Sequence, residues 1–435
     1  MNKKSCLSVL LLLLSSTIIY CADWPMWRYD AGRTANSPEE LSGTLHRQWI
    51  RHYSPRESVW DDSLNQDLMP LDKVFEPIVI GDLLFISFND RDKVIALDLA
   101  TGRQKWEFYA NGPIRLPMAG SHDRVYCTSD DGYLYCLSAK NGQLLWKFRG
   151  APADRNILGN KRLISSWPAR GGIVLENDRL YFAASIWPFM GIFIYCLDAQ
   201  DGRVLWQNDG IGSQYTVQPH NSPAFANVAP QGAMVVSGDK LLVSGGRSVP
   251  ACFNRSTGEL LYYRLAEYNK TGGAFICAND KYFFNHYRDR ETDLYDLATG
   301  AGVARRVGKY PVLDKERFFM SGDSIIVRNA VQPGQLLGSL KVDASGDLIK
   351  SGTRLYAGGR GVLTAIRIEA DGKLVKEWQD HIDGDVGRII SANGRLLVVT
   401  RDGKIIAYGS KSGKSAVWHE TWQRWNFSDK AGQRA

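Results

Sequence analysis

Apolar residues come in short runs, alternate with polar ones at their edges, and are interrupted by Asp-Gly, Asn-Gly, Asn-Asp and Gly-Asp pairs. The stretch RVYCTSDDGYLYCLSAKNGQLLWKF (124–148) shows the arrangement: strand, tight turn, strand, turn, strand. Period-two alternation between such turns predicts β-hairpins. GGIVLENDRLYFAAS, GAMVVSGDKLLVSGG, RIISANGRLLVVTRDGKIIAYG and FEPIVIGDLLFISF repeat the scheme, and no helical apolar period follows the first 22 residues. An all-β chain is expected.

One marker recurs inside this pattern. Ala96, Asp98, Gly102 and Trp106 share their spacing with Cys136, Ser138, Gly142 and Trp146, with Cys196, Asp198, Gly202 and Trp206, and with Cys252, Asn254, Gly258 and Tyr262. Weaker copies end at Gly300 or surround Gly372 with Trp378 and Gly413 with Trp418. Successive glycines stand 40, 60, 56, 42, 72 and 41 residues apart, so the base period is close to the first of these. A twisted four-stranded sheet cannot bury both faces alone, and copies stacked around an axis make a β-propeller of four-stranded blades. Eight blades fit, starting near residues 75, 115, 168, 228, 273, 312, 345 and 386; seven is the alternative, because the stretch 317–340 has no readable marker. Trp106, Trp146, Trp206, Trp378 and Trp418 are expected to wedge neighbouring blades. The stretch LHRQWIRHY (45–53) is expected to give the last blade its outer strand, leaving the ring no free edge. This divides the chain into a leader (1–22), a lead-in and ring-closing strand (23–74), the propeller (75–420) and a tail (421–435).

The Ala-x-Asp-x-x-x-Gly-x-x-x-Trp pattern resembles the tryptophan-docking repeat of the pyrroloquinoline-quinone (PQQ) repeat propellers. That superfamily includes quinoprotein alcohol dehydrogenases and BamB-type outer-membrane assembly lipoproteins. DWPMWRYDAGRTANSPEEL (23–41) resembles the start of secreted PQQ-like proteins, and the resemblance runs from residue 23 to 420. Propellers sharing these residues serve unrelated tasks. In the quinoprotein branch the resemblance would imply PQQ and calcium on the axis, an Asp base and, in many members, a disulfide between adjacent cysteines. The chain has no Cys-Cys pair and no Asp/Glu/Asn cluster matching a calcium loop; Asp383 and Asp385 in HIDGDVGR fit a hairpin turn better. No G-x-S-x-G, H-E-x-x-H or C-x-x-C is present, and His46, His122 and His286 stand singly and receive no role.

Charge and targeting narrow the setting. Lys3 and Lys4 precede an apolar run from Leu7 to Tyr20, then Cys21, Ala22 and a polar mature start at Asp23, as in a secretory signal. No later run reaches the length of a membrane span, so the mature chain is expected to be exported to the periplasm, the cell envelope or the medium, with no transmembrane segment. Lipidation at Cys21 is disfavoured by Tyr20, which stands where a small residue is preferred. The net charge of +7 is spread over interspersed acids and bases without a basic run, which with export excludes nucleic acid as the expected partner. Of seven cysteines, Cys127 and Cys136 flank a turn. A two-residue hairpin on Asp131-Gly132 would set them opposite each other, within reach of a disulfide in an oxidising space. Two free buried thiols are the favoured outcome, since Cys136, like Cys196 and Cys252, holds the slot that Ala96 and Ala407 hold elsewhere.

The two long intervals carry insertions, GAPADRNILGNKRLISSWPARGG and NDGIGSQYTVQPHNSPAFANVAPQG, which should emerge on one face beside the channel. They offer Arg155, Trp167, Arg170, Tyr215, His220 and Asn221, and SIWPFMGIF adds Trp187. Aromatic planes beside Arg, Asn and His suit a protein loop or a sugar. The expectation is a non-catalytic envelope scaffold gripping a protein or glycan there, with no cofactor. The alternative is a PQQ- and calcium-dependent oxidoreductase, and a lyase or hydrolase using His220 and Tyr215 is a weaker third. The sequence leaves the oligomeric state open.

Overall fold

A computed structural model describes residues 22–58, 72–159, 161–211, 214–217, 221–246, 248–265, 271–287 and 290–420. The leader, Cys21, His220 and the tail lie outside these. Among the described residues the strands form six four-stranded sheets, two two-stranded hairpins and one eight-stranded sheet. The helical content there is one 3-10 turn, Pro188–Met190. Innermost strands begin at Ile78, Ala119, Gly171, Met234, Ile276, Pro311 and Asp347, and residues 386–392 of the strand Leu374–Ala392 play that part last. Successive ones lie side by side, for example Ala119–Ser121 beside Gly171–Glu176 and Gly171–Glu176 beside Met234–Ser237. Because each sheet is sandwiched between neighbours, its middle strands are buried on both faces (Leu83–Phe88, Phe193–Asp198), whereas the outer strand Gln104–Tyr109 alternates and turns Trp106 inward.

Gly142, Gly202, Gly258 and Gly300 sit under rings from the preceding sheet, whereas Gly372 meets Arg317 and Gly413 meets nothing. Trp106 Nε1 donates to Ala139 O at 2.9 Å, Trp146 to Gln200 O at 2.9 Å, Trp206 to Arg255 O at 2.8 Å, and Tyr262 Oη to Leu297 O at 3.0 Å. A Cβ on Gly142 would come within 2.5 Å of the Trp106 ring, and the same glycine has φ 73°, so both space and backbone require glycine. Trp49 begins this series: it stands opposite Ala407, donates to Leu99 O at 3.0 Å and covers Gly102. Its strand, His46–His52, pairs antiparallel with Lys404–Gly409, as the sequence anticipates. Trp418 is therefore displaced from the role expected of it. Ala416–His419 runs parallel outside His46–His52, and Trp418 Nε1 reaches Thr101 O at 3.1 Å from the rim. Trp378 stands opposite Ala365 with Tyr356 and Tyr408 beside it, and its buried Nε1 has no acceptor.

Cys127 and Cys136 are free buried thiols, the outcome the sequence favours, but the two-residue hairpin assumed between them is corrected. The turn holds one residue more than a two-residue hairpin: Ser129 N donates to Tyr133 O, and Thr128 pairs with Leu134. Cys127 thus faces Tyr135 and Cys136 faces Tyr126, so the two thiols point to opposite faces of the sheet and are free. Cys127 packs with Phe85 and Trp106, Cys136 with Phe182 and Tyr195. The longer turn follows from Asp130, whose carboxylate is drawn aside by Arg115 and Arg170, while Asp131 accepts from Tyr133 N at 3.0 Å.

The segment 22–41 crosses one end of the axis and its backbone touches six of the inner strands in turn. Trp24 bridges Val79, Met26 bridges Ala119, Ala31 O accepts from Val236 N, Gly32 O from Ala278 N, Thr34 O from Leu313 N, and Asn36–Ser37 pairs with Lys350 and Ser351. Arg33 is 2% exposed and donates to Ile173 O at 2.6 Å, Met234 O at 3.0 Å and Trp27 O at 3.2 Å. Burial pulls its guanidinium down to about 10, against the pull of Asp30, so it stays charged at neutral pH. Arg28 donates to Arg33 O and Pro311 O. The path needs left-handed backbone at Arg28, Tyr29, Arg33 and Ala35, at roughly 1–2 kcal/mol each, which these anchors must outweigh.

Trp49→Ala removes a fully buried ring, a hydrogen bond and the cover over Gly102, and is expected to destabilise the fold by about 3–5 kcal/mol. Trp418→Ala, at the rim, should cost less than half of that. Urea denaturation of both variants checks the order, and equal losses would contradict the assignment of Trp49 to the ring.

Candidate functional site

At the opposite end of the axis, the starts of the inner strands surround a cavity with about 90 Å³ of room for the centre of a water molecule. Glu76, Pro117, Gly172, Gly232, Ala274, Tyr310, Gly346 and Gly387 each come from a different inner strand or its approach, and Trp27 and Arg33 of the lead-in form the floor. Phe275 and Tyr310 stack at 3.8 Å, and Trp27 packs edge-on against Phe275. Arg388 lies over Trp27 and pairs with Glu76 and, at 3.0 Å, Asp347. Burial works against its charge, but Asp347 and Glu76 outweigh it and hold the guanidinium protonated.

Beside the cavity runs a ladder of alternating buried charges: Arg56, Asp72, Arg115, Asp130 and Arg170, linked at 3.0, 2.9, 2.6 and 2.8 Å. Burial alone would raise the Asp130 carboxyl, but Arg170 and then Arg115 overcome it and hold it below the usual carboxylate range. Taking each charge out of water costs several kcal/mol, so the ladder is stable only while every rung is present. Arg170, 1% exposed and paired with both oxygens of Asp130, is a rung of this ladder rather than the ligand-facing residue expected from the sequence.

The insertions form hairpins, Asn156–Gly159 with Arg162–Ser165 and Gln214–Val217 with Pro223–Ala226. They meet through the 3-10 turn: Trp167 Nε1 donates to Met190 O at 2.7 Å, and Pro223–Ala226 lies against Pro188–Met190. Arg162 reaches back to Asp90 O and Asp92, bracing the first hairpin on another sheet. Trp187 and Phe189 stack at 5.9 Å and are half to two-thirds exposed. Tyr215 and Val217 are also exposed, and Leu158 is 87% exposed. Arg155 is exposed and spends its carbonyl on Ser166 N; Asn221 is exposed with φ 67°. The structure therefore gathers Trp167 and Trp187, sets Arg155, Tyr215 and Asn221 on exposed chain of the same insertions, and removes Arg170. Leu158, Leu163 and Val217, which the sequence reading passed over, are the apolar tips; their signal was aliphatic residues on a strand that no sheet sandwiches.

The cavity has cations and aromatic planes that suit a flat acid. It does not gather donors for calcium: Asp72 and Glu76 are spent on arginines, and among the described residues no group of three His, Cys, Asp or Glu could hold a metal. The described residues do not fit a PQQ–calcium pair.

Residues 46–305 match the family model described as "Outer membrane protein assembly factor BamB". The chain belongs to that family. This BamB-family chain is 26% identical over 196 residues to the tetrathionate hydrolase of Acidithiobacillus ferrooxidans, covering 44% of the chain and 36% of that protein. It is 27% identical over 146 residues to the alcohol dehydrogenase (quinone) dehydrogenase subunit of Gluconobacter oxydans (30% and 18%), and 26% identical over 154 residues to BamB of Legionella pneumophila (33% and 34%). The match thus spans little more than a third of these relatives at most. Among solved structures, BamB from Moraxella catarrhalis aligns with TM-score 0.53 at 14% identity, covering 85% of this chain and 99% of that one. Quinohemoprotein alcohol dehydrogenase from Comamonas testosteroni aligns with TM-score 0.60 at 11% identity, covering 91% and 82%. These likenesses establish a propeller-like all-β fold and nothing of the chemistry.

Asp130→Asn leaves Arg115 and Arg170 buried without their shared counter-ion and is expected to cost about 3–5 kcal/mol. Because the native carboxyl is held low, its stabilisation is present above the unfolded value near 3.9 and is lost as pH falls through the native one. Denaturation midpoints of wild type and variant should therefore converge in acid, and a constant gap would refute the ladder.

Proposed function

We propose that this chain is an exported, non-catalytic propeller of eight blades, wedged by the ring-on-glycine contacts, that acts in the periplasm or cell envelope as a scaffold for a partner protein. The observation that carries this is the row of apolar tips, Leu158, Leu163, Trp187, Phe189, Tyr215 and Val217, on hairpins that the core does not need. Aliphatic tips beside aromatic planes gain from an apolar groove on a protein more than from a glycan, and burying each is worth about 1.5–3 kcal/mol. The name of the matching family, an outer-membrane protein assembly factor, agrees with such a role. Arg155, Trp167 and Asn221 would border the contact with polar groups.

A quinoprotein oxidoreductase is the second reading, favoured by the aromatic and cationic cavity and by the dehydrogenases among the relatives. The commitment of Asp72 and Glu76 to arginines weighs against it.

A Leu158→Asp, Phe189→Asp variant should keep the wild-type melting temperature and lose the envelope protein that the wild type retains in a cross-linked pull-down. Equal retention by both would defeat the reading. Titration with PQQ and Ca²⁺ is expected to give no stoichiometric absorbance change and no dye-linked alcohol oxidation; turnover would transfer the conclusion to the second reading.

A further inference from the structure

The lead-in begins at the seam between the first and last inner strands. Ala22 O accepts from Asn393 N at 3.2 Å, and Asp23 Oδ1 accepts from Gly81 N at 2.8 Å and Asn393 Nδ2 at 3.0 Å. Glu39, fully buried, completes the knot: one carboxylate oxygen accepts from Ala22 N at 2.6 Å and the other from Gly394 N at 2.6 Å.

No cation meets this carboxylate among the described residues. Of the groups around it, Asp23 is a second acid rather than a base, and Tyr29 is a phenol whose proton burial holds more firmly. Arg395 points to Gly394 O at 3.5 Å, and Arg354 is taken by Glu40 and Glu377. Burial pushes the Glu39 carboxyl above its usual range, and the amide donors of Gly394, Ala22 and Asn393 offset only part of that. Glu39 is thus a buried carboxylate without a counter-charge, with the partly exposed Asp23 as a second acid beside it, and a buried ion costs several kcal/mol unless compensated.

One atom already in place can supply the charge. The Ala22 nitrogen, as an amide, brings one donor; as the first nitrogen of the chain it brings three donors and a full positive charge at the same point. We infer that export processing cuts the Cys21–Ala22 bond and that the new Ala22 α-ammonium is the counter-ion of Glu39. The reaction is a hydrolysis by a membrane leader peptidase. Water adds to the Cys21 carbonyl, the C–N bond breaks, the leader departs with the Cys21 carboxylate, and the Ala22 amine takes up a proton. Cys21 provides the small residue beside the cut, with the aliphatic Ile19 at the other recognised position. The site is one residue earlier than the start at Asp23 that polarity alone predicts, a start that would discard both backbone bonds of Ala22. It also differs from an acylated Cys21, which would keep the Ala22 nitrogen an uncharged amide. The inference is independent of what binds the opposite face.

The test uses full-length protein exported by its own leader. Intact mass and N-terminal sequencing are expected to give Ala22 first. An α-amino group near 7.7–8.0 when unfolded is raised by an anionic partner, so its stabilisation is complete below that range and is lost as pH rises through the native value. Wild-type melting temperature should therefore fall on the alkaline side, while Glu39→Gln should melt about 2–4 °C lower at neutral pH and lose that alkaline decline. Should Glu39→Gln fail to fold, N-acetylated wild-type protein replaces it, with the same flattening expected. A chain starting at Asp23, a lipid on Cys21, or an unchanged alkaline decline in either altered protein would overturn the inference.

Discussion

The structure depends on one irregular strip of chain that ties together the inner strands of successive sheets. Residues 22–41 give their backbone donors and acceptors to strands that are otherwise joined only to near neighbours, and Arg33 ties Ile173 and Met234 from beneath. An inner strand at a channel wall faces open space on one side, so its carbonyls need either water or a partner. The buried guanidiniums of Arg28 and Arg33 are that partner. Left-handed residues along the strip are tolerated because the surroundings fix them from several directions.

Two kinds of adhesive divide the remaining work. Toward the rim, flat rings lie on glycine turns and need only space and one carbonyl. Toward the axis, alternating arginines and carboxylates form ladders that are costly to assemble and intolerant of a missing member. The first is sequence-local and repeats; the second draws on Arg56, Asp72, Arg115, Asp130 and Arg170 from separate parts of the chain. The exposed hairpins belong to neither, which leaves their tips available for contact.

That division explains what could be read in advance. Strand positions, the marker turns and the closing strand at Trp49 were legible because alternation and glycine spacing are local signals. The exchange of Trp418 for Trp49 was not, since both lie after or before a strand pair at acceptable distance and only three-dimensional adjacency separates them. The Cys127–Cys136 register failed by one residue because Arg115 and Arg170, distant in sequence, pull Asp130 out of the turn. Arg170 looked like a surface residue for the same reason: its partner cannot be seen from its neighbours. The insertions announced themselves by length, while the exposure of Leu158 needed the fold.

The pairing of His46–His52 with Lys404–Gly409 joins segments about as far apart as this chain allows. Closure must therefore wait until nearly all of the polypeptide has been made, and until then the strand Lys404–Gly409 presents an unpaired edge. A second molecule passing at that moment carries the same complementary strand, so crowding of unfinished chains would favour interlinked dimers over monomers closed on themselves.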